Sequence, residues 1–345
     1  MENKSVILVI YSMLSILSLL GCKNENPAEI HFETQSQTNR TVVQAVPNDS
    51  IKFSNIVNPW FFRATPSGNL FIYDGGSNEI ISLKRHLETN RLQVYKTMTI
   101  SMGHGPGESI QITDMYISDS LVALADPRIS RILIWPLFSD SIKTYKIPMR
   151  PYRILSVRDR NILYCPESYP LQKISSYDIV TGDTSSVISD IPLEQHKNNN
   201  IYHGSKFAEL DEINILQAYT RLGRMVVYKN FIPFIGVYTI NGNLEPTIYN
   251  KEYAENIQIT YVDHNAIISC SDLTSSNNQI AILSHNPSRK HEHVDFYSSD
   301  NLSYLYSIRL NGRGHKVALI NDSLLYVLWQ NWIYTYRLSD EWSNL

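Results

Sequence analysis

From about residue 56 to the end, the chain alternates short apolar runs with clusters of Gly, Asn, Asp, Ser and Pro. Runs of this length bounded by turn formers read as β-strands rather than helices. They group into units of roughly 40 to 60 residues, a period that signals arrays and propellers. The clearest units begin alike. Ser67-Gly-Asn69 leads into Leu70-Phe-Ile-Tyr73, and Asp74-Gly-Gly-Ser-Asn78 then turns into Glu79-Ile-Ile-Ser-Leu83. Ser118-Asp-Ser120 leads into Leu121-Val-Ala-Leu124, and Asp126-Pro-Arg-Ile-Ser130 into Arg131-Ile-Leu-Ile-Trp135. The cadence returns where Asp159-Arg160 precedes Asn161-Ile-Leu-Tyr164, and where Asn321-Asp-Ser323 precedes Leu324-Leu-Tyr-Val-Leu328.

Each unit supplies about four strands, which is one propeller blade. A blade cannot bury both of its faces alone, so several must pack radially about an axis. The expected fold is therefore all-β, a six-bladed β-propeller of four-stranded antiparallel blades. The blade limits are near 56–102, 110–149, 151–192, 207–250, 256–311 and 314–338. The last blade has strands for three positions, and the segment Thr41 to Phe53 supplies its outer strand, closing the ring and removing two sheet edges at once. The fourth unit contains both Met225-Val-Val-Tyr228 and Phe234-Ile-Gly-Val-Tyr-Thr239, and the fifth has one apolar run more than four strands need. Strand assignments there can slip by one.

The N-terminus has a different pattern. An apolar run from Val6 to Leu20 follows Lys4 and ends in Leu19-Leu20-Gly21-Cys22. A charged start, a short apolar stretch and a small residue before the cut describe a secretory leader, and a cysteine directly after Gly21 is what lipid transfer requires. At about 15 residues the run is shorter than the roughly 20 needed to span a bilayer as a helix. Residues 1–21 thus read as a lipoprotein signal peptide and Cys22 as the lipidated first residue of the mature chain. Residues 22–40, rich in Gln, Thr, Ser and Asn, read as a flexible tether, and residues 41–345 as a single propeller domain. Lys23 and Glu25 beside the lipid leave periplasmic and surface display both open.

Composition supports strands: there are 22 Tyr and 10 Phe with abundant Ile and Val, residues that suit pleated surfaces. Removing the leader takes one acid, Glu2, and one base, Lys4, so the net charge stays at -3 and no nucleic acid or other polyanion is indicated as a partner. With Cys22 lipidated, Cys165 and Cys270 remain, both inside apolar runs of non-adjacent units, and are expected as buried free thiols.

Gly103-His-Gly-Pro-Gly-Glu108 after the first unit, the repeated Asp-turn-strand units and the lipoprotein leader together resemble the TolB-like six-bladed propeller lipoproteins of Gram-negative bacteria. In that family a Gly-x-Gly-Pro-Gly-Glu segment joins early blades. The resemblance spans nearly the whole mature chain and implies the six-bladed fold and an outer-membrane or cell-surface address. It carries no settled biochemical activity with it. Ser109 stands where an aromatic residue is common in the family, so no packing role transfers to that position.

Candidate chemistry is sparse. The Gly103–Glu108 segment lacks the Lys of a phosphate-binding P-loop and the helix of a dinucleotide fold, and three glycines around a proline fit a tight connection with positive φ. Its position gives it a functional reading, because a junction between blades lies on a face where propellers hold ligands. Asn311-Gly-Arg-Gly-His315 is a second such junction, and Pro192 to Glu212, with His196, Asn198 to Asn200 and His203, is a third. His104, Glu108, Arg313 and His315 are the candidate ligand-binding residues, set against the simpler reading of solvated loops. His291-Glu-His293 puts two imidazoles on one strand face with no third metal ligand fixed by spacing. Trp329-Gln-Asn-Trp332 and Tyr334 to Tyr336 suit packing better than sugar stacking. No nucleophile elbow, His-Glu-x-x-His helix or Cys-x-x-Cys pair is present.

No catalytic residue, metal site or cofactor is therefore expected. The leading expectation is a binding or scaffold lipoprotein, held to the membrane through Cys22 and presenting a loop face to a protein, peptide or glycan. The competing one is a metal-dependent propeller hydrolase or lactonase with its site at the central channel.

Overall fold

In the computed structural model of the chain, the described residues are 32–34, 41–86, 89, 91–139, 141–158, 160–166, 174–188, 215–219, 224–229, 234–239, 244–249, 270–284, 292–300, 303–339 and 342. Residues 1–21, Cys22 and the 192–212 junction lie outside them, as does the extra apolar run of the fifth unit.

A short strand, β1 (Phe32–Thr34), comes first, followed by β2 (Val42–Gln44) and β3 (Asp49–Lys52). Strands then come in fours. The first blade is β4 (Pro59–Ala64), β5 (Leu70–Asp74), β6 (Glu79–Arg85) and β7 (Leu92–Thr99). The second is β8 (Asp114–Ile117), β9 (Leu121–Asp126), β10 (Arg131–Pro136) and β11 (Lys143–Lys146). The third is β12 (Pro151–Arg158), β13 (Asn161–Pro166), β14 (Ile174–Asp178) and β15 (Thr184–Ile188). The fourth comprises β16 (Ile215–Tyr219), β17 (Arg224–Lys229), β18 (Phe234–Thr239) and β19 (Leu244–Tyr249). The fifth comprises β20 (Cys270–Ser275), β21 (Gln279–Ser284), β22 (His293–Ser298) and β23 (Tyr304–Arg309). The sixth has β24 (Lys316–Ile320), β25 (Leu324–Trp329) and β26 (Trp332–Arg337). Within every blade these strands pair in chain order and antiparallel.

The first strands β4, β8, β12, β16, β20 and β24 touch one another in succession, and β24 returns to β4. They are the innermost strands of a six-bladed ring. Burial follows from this geometry: the middle strands are covered on both faces by neighbouring blades, so β5 is buried at every position and β25 at its four central ones. Outer strands face water, and β7 exposes Gln93, Val94 and Tyr95 in a row. Each hydrophobic cluster therefore spans two blades. One joins Phe62 and Ile72 of the first blade to Ala318 and Tyr326 of the sixth; another joins Phe61 and Tyr73 to Met115 and Trp135 of the second.

The expectation for ring closure holds, with a refinement. β3 pairs antiparallel with β26, Ile51 opposite Ile333 and Asp49 opposite Thr335, and completes the sixth blade. β2 pairs parallel with β23, Val43 opposite Ile308, and covers the outer edge of the fifth. The segment thus serves two blades because it runs past both edges, and each would otherwise be a row of unpaired N–H and C=O groups.

Candidate functional site

The innermost strands enclose a channel with two distinct ends. At the junction end the chain enters each innermost strand from the preceding blade; at the turn end each innermost strand passes into the second strand of its own blade. Neighbouring turns bond to each other, so these strands run the same way along the axis. Asp119 accepts the N–H of Ser67 from the first blade at 3.0 Å. Asp322 accepts the N–H of Asn278 from the fifth blade at 3.0 and 3.2 Å, and its own N–H reaches the Ser276 hydroxyl at 3.0 Å. These two pairs of polar turns are thus stapled together as part of a collar.

Inside the channel, carboxylates join blades. Irregular register just before Asp272 in β20, and before Arg153 in β12, re-aims these side chains out of simple alternation. Asp272, with none of its surface exposed, accepts the Val317 N–H of the next blade at 2.9 Å and the guanidinium of Arg63 at 3.3 Å. Asp114 repeats the arrangement: it accepts the Ile154 N–H at 2.9 Å and lies 3.5 Å from Arg153. The free edge of an innermost strand carries unpaired N–H groups, and each aspartate satisfies one while an arginine balances its charge.

Towards the turn end the channel widens into a cavity of about 500 Å3. Arg63, Thr65, Asp114, Arg158, Thr274 and Ser276 contribute to its polar lining, beside apolar residues that include Leu155, Leu273 and Leu319. Sequence reasoning missed this region because its residues come from five blades and none belongs to a recognisable motif. The signal present was the recurrence of polar turns after the innermost strands, which reads naturally as punctuation.

The sequence-predicted residues all lie at the junction end. Asp74 and Asp126, both fully buried at the ends of second strands, organise that end. Asp74 accepts the N–H groups of Val57 and Asn58 at 2.8 and 2.7 Å, and Asp126 those of Ile110 and Gln111 at 2.6 and 3.2 Å. In the Gly103–Glu108 segment the Glu108 carboxylate folds back onto the Gly105 N–H at 2.6 Å. A Cβ at Gly103 would overlap that carboxylate, and one at Gly105 would lie 2.8 Å from Glu108 Oε2, so the glycines make room for the acid. Arg131 donates to the Gly105 carbonyl at 2.9 Å and the Gly107 N–H donates to Thr144 at 3.0 Å, fixing the loop to the second blade. His104 is exposed on it.

Arg313 and His315 are exposed on the other junction, where the buried Gly314 donates its N–H to Glu292. Partial burial, with the positive charges of Lys316 and Arg313, holds the His315 imidazole below its usual range against the opposing pull of Glu292. No hydrogen bond or ion pair among the described residues joins His104 or Glu108 to Arg313 or His315, and none of the four lines the channel cavity.

The other candidates fall into place individually. Cys165 is a buried free thiol whose pKa burial pushes up to about 12; of Cys270 only the strand position is described. His293 is buried in β22, and His291 lies outside the described residues. Among the described residues no three His, Cys, Asp or Glu side chains are grouped to hold a metal ion, and no helix is long and apolar enough to cross a membrane. Trp332 stacks on Tyr334 at 6.2 Å with Lys52 over its ring, as packing of the closing blade requires.

Residues 94–319 match a family model described as DUF5128, 6-bladed beta-propeller. Among solved structures, the fold is similar to a member of the DUF4221 family from Bacteroides vulgatus, at 11% identity and a TM-score of 0.57, covering 87% of this chain and 99% of that one. It is also similar to a streptogramin B lyase, at 12% identity and a TM-score of 0.53, covering 84% and 97%. At such identities the likeness is one of fold alone. No curated protein matches the chain.

Proposed function

The chain belongs to this DUF5128 family of six-bladed β-propellers, and from that premise we propose that it is a TolB-like binding or scaffold lipoprotein of the cell envelope. On this reading Cys22 carries the lipid that holds it at the outer membrane or cell surface. The rigid ring then presents its junction end, with His104, Glu108, Arg313 and His315, to a protein, peptide or glycan.

One observation carries the preference for binding over turnover. The channel carboxylates Asp114 and Asp272, the groups a hydrolase would draw on, are committed to backbone N–H groups and arginines of other blades. A carboxylate so engaged is occupied in holding strands together rather than presented to a substrate. The lyase with the same fold does not alter this, since chemistry belongs to sites and not to folds.

The test is affinity capture from envelope extracts with the full chain and with a His104→Ala/Arg313→Ala/His315→Ala variant. A specific partner retained by the first and lost by the second is expected. Repeated capture of nothing specific, together with turnover of a lactone or ester that depends on stoichiometric calcium or zinc, would overturn the reading. Incorporation of an alkyne-tagged fatty acid, abolished by Cys22→Ala, tests the anchor separately, and protease shaving of intact cells tests surface display.

A further inference from the structure

The cavity at the turn end is built as a site, and nothing in the proposed envelope role uses it. Two of its hydroxyls are donors with an acceptor side already occupied, and the one carboxylate in its lining, Asp114, is engaged by the Ile154 N–H and Arg153. Thr274 Oγ1 accepts the Leu319 N–H at 3.3 Å, and Ser276 Oγ accepts the Asp322 N–H at 3.0 Å. Each hydroxyl is thereby oriented and keeps its own proton to donate. Arg63 spends only Nη1, on the Phe62 carbonyl at 3.0 Å and on Asp272; among the described residues its Nε and Nη2 have no hydrogen-bond acceptor. Its side chain is 21% exposed and lines the cavity, so those donors are accessible from it. A second, exposed arginine, Arg158, also belongs to the lining.

Donors fixed in advance, with a planar guanidinium among them, match a carboxylate, which accepts through both oxygens. The surroundings define the rest of the ligand. Leu155, Leu273 and Leu319 give the cavity apolar walls, and about 500 Å3 is within the range of pockets that enclose small organic molecules and far more than a lone anion needs. We propose that this cavity binds a small organic carboxylate, its carboxyl group held by Arg63, Thr274 and Ser276 and its apolar body packed on the leucines. The proposal goes beyond the envelope-binding reading and concerns the opposite end of the channel, so either can fail without the other.

Titration calorimetry on the full chain in detergent tests it with 4-phenylbutyrate, octanoate and indole-3-acetate, each beside its neutral amide, and with inorganic phosphate. At least one carboxylate should bind about tenfold or more tighter than its amide and than phosphate. Arg63→Gln should weaken that binding about tenfold. Should Arg63→Gln fail to fold, Ser276→Ala and the cavity-filling Ala64→Trp carry the same test, each verified by thermal melting. Equal affinity for acid and amide, phosphate binding as tight as the organic acids, binding unchanged in the folded variants, or no binding by any of the three acids would each overturn the proposal.

Discussion

Replacing Asp272 by alanine should cost the domain about 3 kcal/mol. The side chain is fully buried, and its loss leaves the Val317 N–H and Arg63 uncompensated. The Val317 N–H, now 2.9 Å from the carboxylate, would have no acceptor at the free edge of β24, a penalty of about 1–3 kcal/mol. Arg63 would keep its charge without its counterion. Breaking a fully buried pair costs about 3–5 kcal/mol, but the arginine is partly wet, so a smaller share, about 1–2 kcal/mol, applies. With an unfolding entropy of about 2.1 cal/mol/K per residue over roughly 300 residues, each kcal/mol moves Tm by about 1.6 °C, and the melt should fall by about 5 °C. Asp272→Asn keeps an oxygen for Val317 and loses only the charge, so it should cost about half as much. Calorimetric melts of Arg63→Met, Asp272→Asn and the double variant complete a cycle with a coupling of about 1–2 kcal/mol. If Asp272→Ala cost under about 1 kcal/mol, or the cycle were additive, the carboxylate would not be joining blades and the account of the channel would be wrong.

Gly314→Ala places a Cβ 2.7 Å from Val327 Cγ1 and 3.3 Å from Leu283, and should cost about 1–3 kcal/mol in urea melts. Gly312→Ala, with nothing within 4 Å of the new atom, should stay within about 0.5 kcal/mol. In a Cys22→Ala/Cys270→Ser background, Cys165, with its pKa near 12, should resist iodoacetamide at neutral to mildly alkaline pH and react on unfolding; mass spectrometry that found it alkylated in the folded protein would contradict its burial. Asp119 is held below the usual carboxylate range: burial pushes it up, but hydrogen bonds from the Ser67 side chain and N–H, and from Thr65, outweigh that effect. A depressed folded pKa contributes stability that is present above the unfolded value, about 4, and lost as pH falls through the folded one. Acid melts should therefore show the wild type losing its advantage over Asp119→Asn below about pH 4; a constant difference down to pH 3 would refute the collar bond.

Much of the architecture was legible in the residues. Runs such as Leu70–Tyr73 and Leu324–Leu328 are apolar at consecutive positions because both faces of a middle strand are covered, and their spacing marks the blades. Asp74 and Asp126 were visible as turn residues, though not as carboxylates that reach back to the N–H groups ahead of their own blade. Glu108 was legible as part of a special segment, but its use in filling the space left by Gly103 and Gly105 depends on a fold-back that no spacing rule specifies.

The sequence by itself determined the class of fold, the number of blades and the need for an N-terminal strand to close the ring, because these depend on local periodicity and on counting strands. Only the tertiary structure decided that Arg63 meets Asp272 from 209 positions away, that β2 and β3 serve different blades, and that the cavity lies opposite the glycine-rich junctions. The physical reason is that side chains from five blades converge on one axis. Their proximity is set by ring closure, and ring closure leaves no mark on neighbours in the chain.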